Sequence, residues 1–244
     1  MKFYVTGSNG FLGKALCSYL ENEGMEVIKH DRNWWSFHNL LPCDCVVHLS
    51  AYGNHYHQTD IRETIERNVL DLQEMLTIAS RSKFLKQFYN ISSSSVTLPV
   101  QTMYSASKLF GETLVNNMKD NRFTNVRPYS IFGEGEADHR FIPTVIRCLK
   151  SGEKMKLDEN SFHDWIYHQS FIDLMLKGET NCGSGESYSN LEIVRILEEI
   201  SGKKLNYEPV ESLRSFDTKD WVCPTKNELK VDLHTGLKLT YDAS

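Results

Sequence analysis

Three regularly spaced glycines between two apolar runs constrain the fold of this chain more than any other feature. Gly7, Gly10 and Gly13 follow the apolar run 3–5 and precede an amphipathic segment and a second apolar run, after which comes Asp31. A chain that turns sharply from a strand into a helix needs residues without Cβ, and a pyrophosphate must approach such a turn closely. The helix N-terminus offers N–H groups to the phosphates, and an acid about 20 residues farther on can bind the adenosine ribose. The pattern therefore predicts a dinucleotide site.

Composition and charge narrow the class of protein. With 244 residues, 40% of them hydrophobic and 24% charged, the chain is long enough for one core and a small additional lobe. A formal net charge of −5 gives no electrostatic footprint for nucleic acid or an anionic membrane surface. The N-terminus enters a strand without a signal-peptide core, and six scattered cysteines lack metal-ligand spacing. We expect a cytoplasmic protein with reduced thiols, no metal and no membrane span.

The segment after Asp31 is shorter than a doubly wound fold normally needs. Only residues 32–44 separate it from the next apolar run, where a helix and a third strand would usually lie. Either residues 34–40 form a short irregular connection between two strands, or Asp31 lies at the end of the strand that normally comes later in the fold. Arg32 could also accommodate a ribose 2′-phosphate. Asp31 favours NAD as the cofactor, and Arg32 leaves NADP as the alternative.

Apolar runs and amphipathic segments continue to alternate through the first half of the chain. Strands are predicted at 45–49, 87–91 and 126–128, and helices at 59–80 and 104–118. Farther on the periodicity is irregular, although Ser189-x-x-Glu192 predicts a capping box that opens another helix. The expected fold is α/β. It has a Rossmann-type doubly wound parallel sheet over residues 1–128 and a small interwoven α/β substrate lobe over residues 129–244.

Several short stretches resemble one known family. Besides the glycine turn, the segments that resemble its motifs are His48–Ala51 ("HLAA"), Ser92–Val96 ("SSxxVYG"), residues 126–135 ("RP…hyGpG"), His163–Tyr167 ("RDFIYV", with His for Arg) and Gly183–Ser187 ("GSGES"). The chain is thereby similar to the extended short-chain dehydrogenase/reductases of the NAD-dependent epimerase/dehydratase family, which act on nucleotide sugars. The resemblance covers nearly the whole chain, which is shorter than usual members.

The resemblance, together with the position and chemistry of individual residues, gives a set of expected binding residues. Those expected to contact the cofactor are Gly7, Asn9, Gly10, Phe11, Leu12, Gly13, Asp31, Arg32, Leu49, Ser50, Ala51, Asn68, Ser92, Tyr104, Lys108, Pro128 and Ile131. Those expected to contact the nucleotide-diphosphate sugar are Ser94, Tyr52, Arg140 and His163. Arg127 is a further candidate for the diphosphate, because arginine matches phosphate geometry well. Structural pairing is the alternative for Arg127, Arg140 and His163.

Tyr104 and Lys108 are the candidates for the chemical step. The two residues are separated by one helical turn, so the lysine can lie beside the tyrosine ring. A positive ammonium favours the phenolate and lowers the pKa of the tyrosine. Tyr104 can then take the proton from a sugar hydroxyl while hydride leaves the same carbon for the nicotinamide. Matching Val96 to the family pattern makes Ser93 the assisting hydroxyl, with Ser94 second.

The serine cluster also bears on the type of reaction. Family dehydratases place an acidic pair after the catalytic hydroxyl residue, where this chain has Ser94 and Ser95. Without an acid to protonate the leaving hydroxyl, 4,6-dehydration is not expected. The leading interpretation is an NAD-dependent nucleotide-sugar C4 epimerase that works through a transient ketone. The alternatives are an NAD(P)H-dependent nucleotide-4-keto-6-deoxysugar reductase and a non-catalytic dinucleotide sensor.

Two further expectations rest on the family alone. Its members pair the two long helices across a two-fold axis, so a homodimer is expected through residues 59–80 and 104–118. Polysaccharide or glycan precursor synthesis is the expected pathway class.

Overall fold

The computed structural model describes residues 1–30, 42–211 and 217–244, which form two compact units, Met1–Arg127 and Pro128–Ser244. Two of the expected cofactor residues, Asp31 and Arg32, lie outside the described residues. The shortened segment that follows Asp31 is also outside them as far as residue 41.

The first unit is built on parallel strands. They are β1 (Lys2–Thr6), β2 (Glu26–His30), β3 (Cys45–His48), β4 (Gln87–Ile91) and β5 (Phe123–Pro128), adjacent in the order β5-β4-β3-β1-β2. The flanking helices are α1 (Phe11–Asn22), α2 (Ile61–Ile65), α3 (Asp71–Ser80) and α4 (Met103–Asn117). The order of the strands reverses between β1 and β3, and ligands of such sheets bind at the carboxyl ends of the strands there. The expected Rossmann-type α/β fold is confirmed.

One hydrophobic cluster of this unit lies between the sheet and the helices that follow β3. Tyr4, Val46 and Phe88 project from three neighbouring strands and pack with Leu72 and Met75 of α3. Each of these five side chains is at most 1% exposed. Burial of side chains of this size contributes roughly 1.5–3 kcal/mol each, so this contact anchors α3 to the sheet.

The segment 59–80, expected as one continuous helix, is interrupted. Between α2 and α3 lies a π-helical turn, Glu66–Leu70. The extra residue in such a turn rotates the side chains that follow, and π turns are frequent at functional sites. Apolar spacing could not reveal this turn, because the buried positions on both sides keep their helical period.

The second unit combines short strand pairs with four helices in its described residues. Its strands are β6 (Ser130–Phe132), β7 (Met155–Leu157), β8 (Phe162–His163), β9 (Trp165–Tyr167), β10 (Asn181–Cys182), β11 (Tyr188–Ser189) and β12 (Tyr207–Pro209). Its helices are α5 (Phe141–Ser151), α6 (His168–Leu176), α7 (Asn190–Ser201) and α8 (Leu233–Asp242). β6 pairs with β9 and β7 with β12 in parallel, and β8 pairs with β11 antiparallel.

The predicted capping box at the start of α7 is confirmed. The Ser189 hydroxyl accepts a hydrogen bond from the backbone N–H of Glu192 at 3.2 Å, and the Glu192 carboxylate accepts one from the N–H of Ser189 at 2.7 Å. α7 then buries Ile193, Val194 and Leu197 in the core of the second unit. None of the helices in the described part of the chain has the length and apolar character that a membrane span requires.

Candidate active site

The glycine turn between β1 and α1 is closely packed at each of its three glycines. A Cβ on Gly13 would lie 2.1 Å from the carbonyl oxygen of Gly7, and a Cβ on Gly7 would lie 2.9 Å from the backbone nitrogen of Ser50. Gly7 has φ +65°, and its carbonyl accepts a hydrogen bond from the N–H of Gly10 at 3.0 Å. Only glycine satisfies both the space and the backbone angle.

The surroundings of this turn fit the pyrophosphate of a dinucleotide. Gly10 is the N-cap residue of α1 and offers no side chain to the first-turn N–H groups. These groups and the dipole of α1 can therefore receive an anion. Asn9 is exposed in the turn, and Phe11 and Leu12 open the helix. The structure thus brings the predicted phosphate-binding residues together.

The end of β3 is fixed against β1 by Thr6. Its Oγ1 accepts hydrogen bonds from the N–H groups of Leu49 and Ser50, both at 3.2 Å, and lies 3.0 Å from Nδ1 of His48. Because the hydroxyl accepts from both backbone groups, its own proton is directed to His48, whose remaining proton is then on Nε2. Leu49 and Ser50, both predicted cofactor residues, are thereby held beside the glycine turn, and Ala51, also predicted, follows them in the chain.

His48 belongs to a polar row that crosses the sheet. In the strand register Thr6 is paired with His30 and with His48, His48 with Asn90, and Asn90 with Asn125. The Asn90 amide donates to Oδ1 of Asn125 at 2.8 Å. Burial lowers the pKa of His48 to about 3, with further contributions from the charges of Lys108 and His30, so His48 is neutral at pH 7. The sequence alone does not reveal this row, because it depends on the register of five strands.

Tyr104 lies in the first turn of α4, and a capping box determines where this helix begins. Thr102 Oγ1 accepts from the N–H of Ser105 at 3.1 Å, and Ser105 Oγ accepts from the N–H of Thr102 at 2.8 Å. Tyr104 is partly exposed and contacts the loop after β3, where a Cβ on Gly53 would lie 3.5 Å from its own Cβ. A Cβ at Gly53 would therefore be in van der Waals contact with Tyr104.

Lys108 lies one turn farther along α4 and is 5% exposed. Its Nζ donates to the carbonyl oxygen of Ile91, at the end of β4, over 2.7 Å and lies 6.0 Å from the centre of the Tyr104 ring. Burial lowers the pKa of Lys108 from 10.5 to about 8, and the negative charge of Glu112 opposes this shift. The predicted pairing of tyrosine and lysine is present, with a lysine that can carry a charge at neutral pH.

The serine cluster follows directly after β4. The hydroxyl of Ser93 accepts from the N–H of Ser95 at 3.2 Å and lies 2.8 Å from the Ser95 hydroxyl, at the start of a 3₁₀ turn. Ser94 is buried, whereas Ser93 is partly exposed. The Oγ of Ser92 is buried without a hydrogen-bond partner among the described residues. An unpaired buried hydroxyl is costly, which fits a site completed by a bound polar group.

Asn68 in the π turn connects the loop after β3 to α4. Its Oδ1 accepts from the N–H of Tyr52, and its Nδ2 donates to the carbonyl of Tyr52 and to Ser107 Oγ, each at 2.8 Å. Ser107 in turn donates to the carbonyl of Tyr104 at 2.7 Å. Asn68 therefore positions Tyr52 and the start of α4, and its direct contact with the cofactor stays a prediction.

Arg127, one candidate for the diphosphate, forms an ion pair within the first unit. Its Nε and Nη2 donate to the two carboxylate oxygens of Glu112 at 2.7 and 2.6 Å. Glu112 is 3% exposed, and its position two turns after Tyr104 is the sequence signal that could have identified it. Arg127 is thus paired structurally, and whether it also binds the diphosphate stays a prediction.

In the second unit, His163 also has close polar neighbours. Its Nε2 lies 3.1 Å from Ser161 Oγ and 3.6 Å from Oδ2 of the buried Asp217, and its ring packs edge-on against Trp165. Arg140 is the N-cap residue of α5. These observations do not test whether His163 and Arg140 bind the sugar nucleotide, so that role stays a prediction.

Two carboxylates hold the loops around β9. The buried Asp164 accepts hydrogen bonds from the N–H groups of Ser184, Gly185 and Cys223 and from the Ser184 hydroxyl, at 2.6–2.9 Å. Glu134 contacts the Tyr167 hydroxyl at 2.6 Å and His168 Nε2 at 2.6 Å.

Both residues belong to motifs quoted from the sequence, and their partners lie 20 or more residues away. Burial acts to raise the pKa of Glu134, but its hydrogen bonds with Tyr167 and His168 outweigh burial and lower it. Two further residues were expected to contact the cofactor: Pro128 ends β5, and Ile131 pairs with Ile166 between β6 and β9. Their contact with a cofactor stays a prediction.

Comparisons with known proteins identify the family of this chain. The model of the NAD dependent epimerase/dehydratase family matches residues 3–193. The chain is 27% identical to the CDP-abequose synthase of Salmonella typhimurium, over 78% of this chain and 73% of that protein. It is 24% identical to the uncharacterized UDP-glucose epimerase YtcB of Bacillus subtilis, over 98% and 95% of the two chains.

Among solved structures, the UDP-glucose 4-epimerase of Thermus thermophilus in complex with NAD superposes with a TM-score of 0.84 at 18% identity. The match covers 100% of this chain and 98% of that one. With the family model matching more than half of the chain, this protein belongs to the NAD dependent epimerase/dehydratase family and is an enzyme of the extended short-chain dehydrogenase/reductase type.

Proposed function

We propose that this enzyme is an NAD-dependent nucleotide-sugar C4 epimerase. The observation that carries the proposal is the buried lysine, Lys108, beside a partly exposed Tyr104 at the carboxyl ends of β3 and β4. Burying a lysine is costly, and this lysine supports the ionisation of the neighbouring tyrosine. The similarity to the Bacillus subtilis and Thermus thermophilus epimerases supports the same reaction.

The residues of this chain have distinct roles in the proposed reaction. NAD, when bound, supplies the acceptor and donor of hydride. Tyr104 takes the proton from the C4 hydroxyl. It returns the proton after the keto sugar has rotated in the site and presents its other face to the nicotinamide. Lys108 stabilises the phenolate form of Tyr104, and Ser93 binds the substrate oxygen. Tyr52, Ser94, Arg140 and His163 are the proposed contacts to the sugar nucleotide.

The structure around Ser93 supports epimerisation over dehydration. The two residues after it are serines, and Ser95 uses its N–H and hydroxyl to fix the Ser93 side chain. A dehydratase needs a proton donor for the leaving hydroxyl, and a serine is far too weak an acid for that step.

A ketoreductase is the second candidate, and the similarity to the CDP-abequose synthase favours it. A reductase exchanges its cofactor in each cycle, whereas an epimerase returns the hydride to the same sugar. The nucleotide released from denatured protein, identified by mass spectrometry, separates the two cycles. Near-stoichiometric NAD supports the epimerase.

Turnover on UDP-, CDP- and GDP-hexoses and their 4-keto-6-deoxy derivatives tests the reaction itself. We expect a C4 epimer without net formation of reduced nicotinamide, loss of this activity in Tyr104→Phe, and full activity in the matched variant Tyr241→Phe, which changes a tyrosine of α8. Stoichiometric oxidation of NADPH by a 4-keto sugar, with no epimer from any hexose, would replace the epimerase by the reductase.

We also propose a homodimer formed by the outer faces of α2, α3 and α4. Apolar side chains are exposed along these helices and the π turn, among them Ile61, Ile65, Leu70, Leu109 and Phe110. A second copy would cover this surface, as the family implies. Light scattering should give twice the chain mass for the wild type and the chain mass for Phe110→Asp. A monomeric wild type at micromolar concentration would exclude the dimer.

A further inference from the structure

Glu112 is a buried charge that the proposed reaction does not yet use. Tyr104, Lys108 and Glu112 follow one another at intervals of four residues, so they lie on one face of α4. Lys108 and Glu112 are 5% and 3% exposed. A carboxylate at this depth costs several kcal/mol unless it is paired, and Arg127 supplies the pair with two hydrogen bonds of 2.6–2.7 Å.

The ion pair leaves Glu112 charged next to the lysine. Both carboxylate oxygens of Glu112 accept hydrogen bonds from Arg127. We therefore attribute the effect of Glu112 on Lys108 to its negative charge. Arg127 approaches from β5 and is more exposed than Glu112, so solvent screens its positive charge more. The negative charge therefore dominates at Lys108, and it opposes the effect of burial on the pKa of this lysine.

The other groups around Lys108 do not replace this charge. From β3, His48 is neutral at pH 7. The π turn contributes the uncharged Asn68, and its Arg67 lies 3.7 Å from both Glu63 and Asp71. On α4 itself, Tyr104 becomes negative only when it has lost its proton.

We propose that Glu112, held by Arg127, is a positioning residue that keeps the Lys108 side chain in its ammonium form. Without this carboxylate, burial would favour the neutral amine, and a neutral amine cannot stabilise the phenolate of Tyr104. The inference rests on the proposed roles of Tyr104 and Lys108. Its primary test requires no substrate, so its failure can be told apart from failure of the proposed reaction.

The test is the titration of Lys108 by NMR of protein labelled with [13Cε]lysine, with its signal assigned by the variant Lys108→Met. Two charges one helical turn apart, partly offset by the more exposed opposite charge of Arg127, change a titration midpoint by about one pH unit at an effective dielectric constant near 20. We expect the Lys108 midpoint to fall by about that much in Glu112→Gln. In Glu112→Asp, which retains the charge, it should stay near the wild-type value.

The matched control is Glu198→Gln in the second unit. Glu198 is also a buried glutamate paired with an arginine, and the substitution removes the same charge. It should leave the Lys108 midpoint unchanged. A folded Glu112→Gln protein with an unchanged midpoint would overturn the proposal, and so would an equal fall in the control.

A second variant covers the case in which Glu112→Gln does not fold. The double variant Glu112→Met/Arg127→Met removes both charges of the pair and leaves neither buried alone, and because the negative charge dominates at Lys108, the ammonium form of the lysine loses net stabilisation. The Lys108 midpoint should fall in the same direction, and an unchanged midpoint would contradict the proposal. With a substrate available, the alkaline limb of the kcat/KM profile should move to lower pH in both variants.

Discussion

Replacing Lys108 by methionine should make the cofactor-free protein more stable at neutral pH, although it removes a residue of the proposed chemistry. In the folded protein burial lowers the pKa of Lys108 from 10.5 to about 8. At pH 7 the ammonium is therefore buried at a cost of roughly 3 kcal/mol, since one pKa unit corresponds to about 1.4 kcal/mol. Methionine avoids this cost but loses the hydrogen bond to the Ile91 carbonyl, which offsets about 1–2 kcal/mol.

The pH dependence of this effect has a definite sign. Between pH 8 and 10.5 the unfolded state binds the additional proton, so the free energy of unfolding of the wild type rises with pH relative to that of the variant. The variant should thus be more stable by about 1–2 kcal/mol at pH 7. It should lose roughly 3 kcal/mol of relative stability by pH 10.5, where the lost hydrogen bond alone remains.

Urea unfolding of both proteins, followed by circular dichroism from pH 7 to 10 without nucleotide, measures this difference. Groups that titrate independently of Lys108 cancel between the two proteins. Lys14→Met, at an exposed position of α1, is the control and should show no pH-dependent difference from the wild type. Hydrogen exchange of the β4 amides assigns the change to the first unit. A difference between Lys108→Met and wild type that stays constant across this range would refute the reasoning.

Three further substitutions test separate parts of the structure. Gly13→Ala places a Cβ 2.1 Å from a backbone oxygen, so NAD binding measured by calorimetry should be lost together with stability, and binding of wild-type affinity would show that the turn is not the phosphate site. Asn68→Ala removes three hydrogen bonds and should lower the free energy of unfolding by roughly 2–3 kcal/mol in urea, whereas a change below 0.5 kcal/mol would exclude the linking role. Burial acts to raise the pKa of Glu198, but hydrogen bonds with Lys204 and the N–H of Leu205 hold it at about 2. Glu198→Gln should therefore cost about 1–2 kcal/mol at pH 7, and this cost should disappear as the pH falls from 4.5 toward 2.

The parts of the fold that the sequence predicts depend on local backbone requirements. Gly7 and Gly13 lie where a Cβ would collide with backbone atoms, so the glycines themselves indicate the turn in the sequence. Likewise the capping box of α7 needs only Ser189 and Glu192, three residues apart. The π turn has no such local signal. A single inserted residue changes which side chains face inward, yet the apolar spacing on either side of it remains helical.

The hydrogen-bond networks of the site lie beyond such local signals. Asp164 joins β9 to segments 20 and 59 residues farther along the chain, and the polar row through His48 requires the register of five strands. Glu112 is intermediate, since its spacing from Lys108 is visible in the sequence but its pairing with Arg127 is not. Buried charges need partners, and the fold brings those partners from distant segments. A sequence can therefore indicate which side chains carry the chemistry, whereas the residues that set their charge become evident only once the strands are in register.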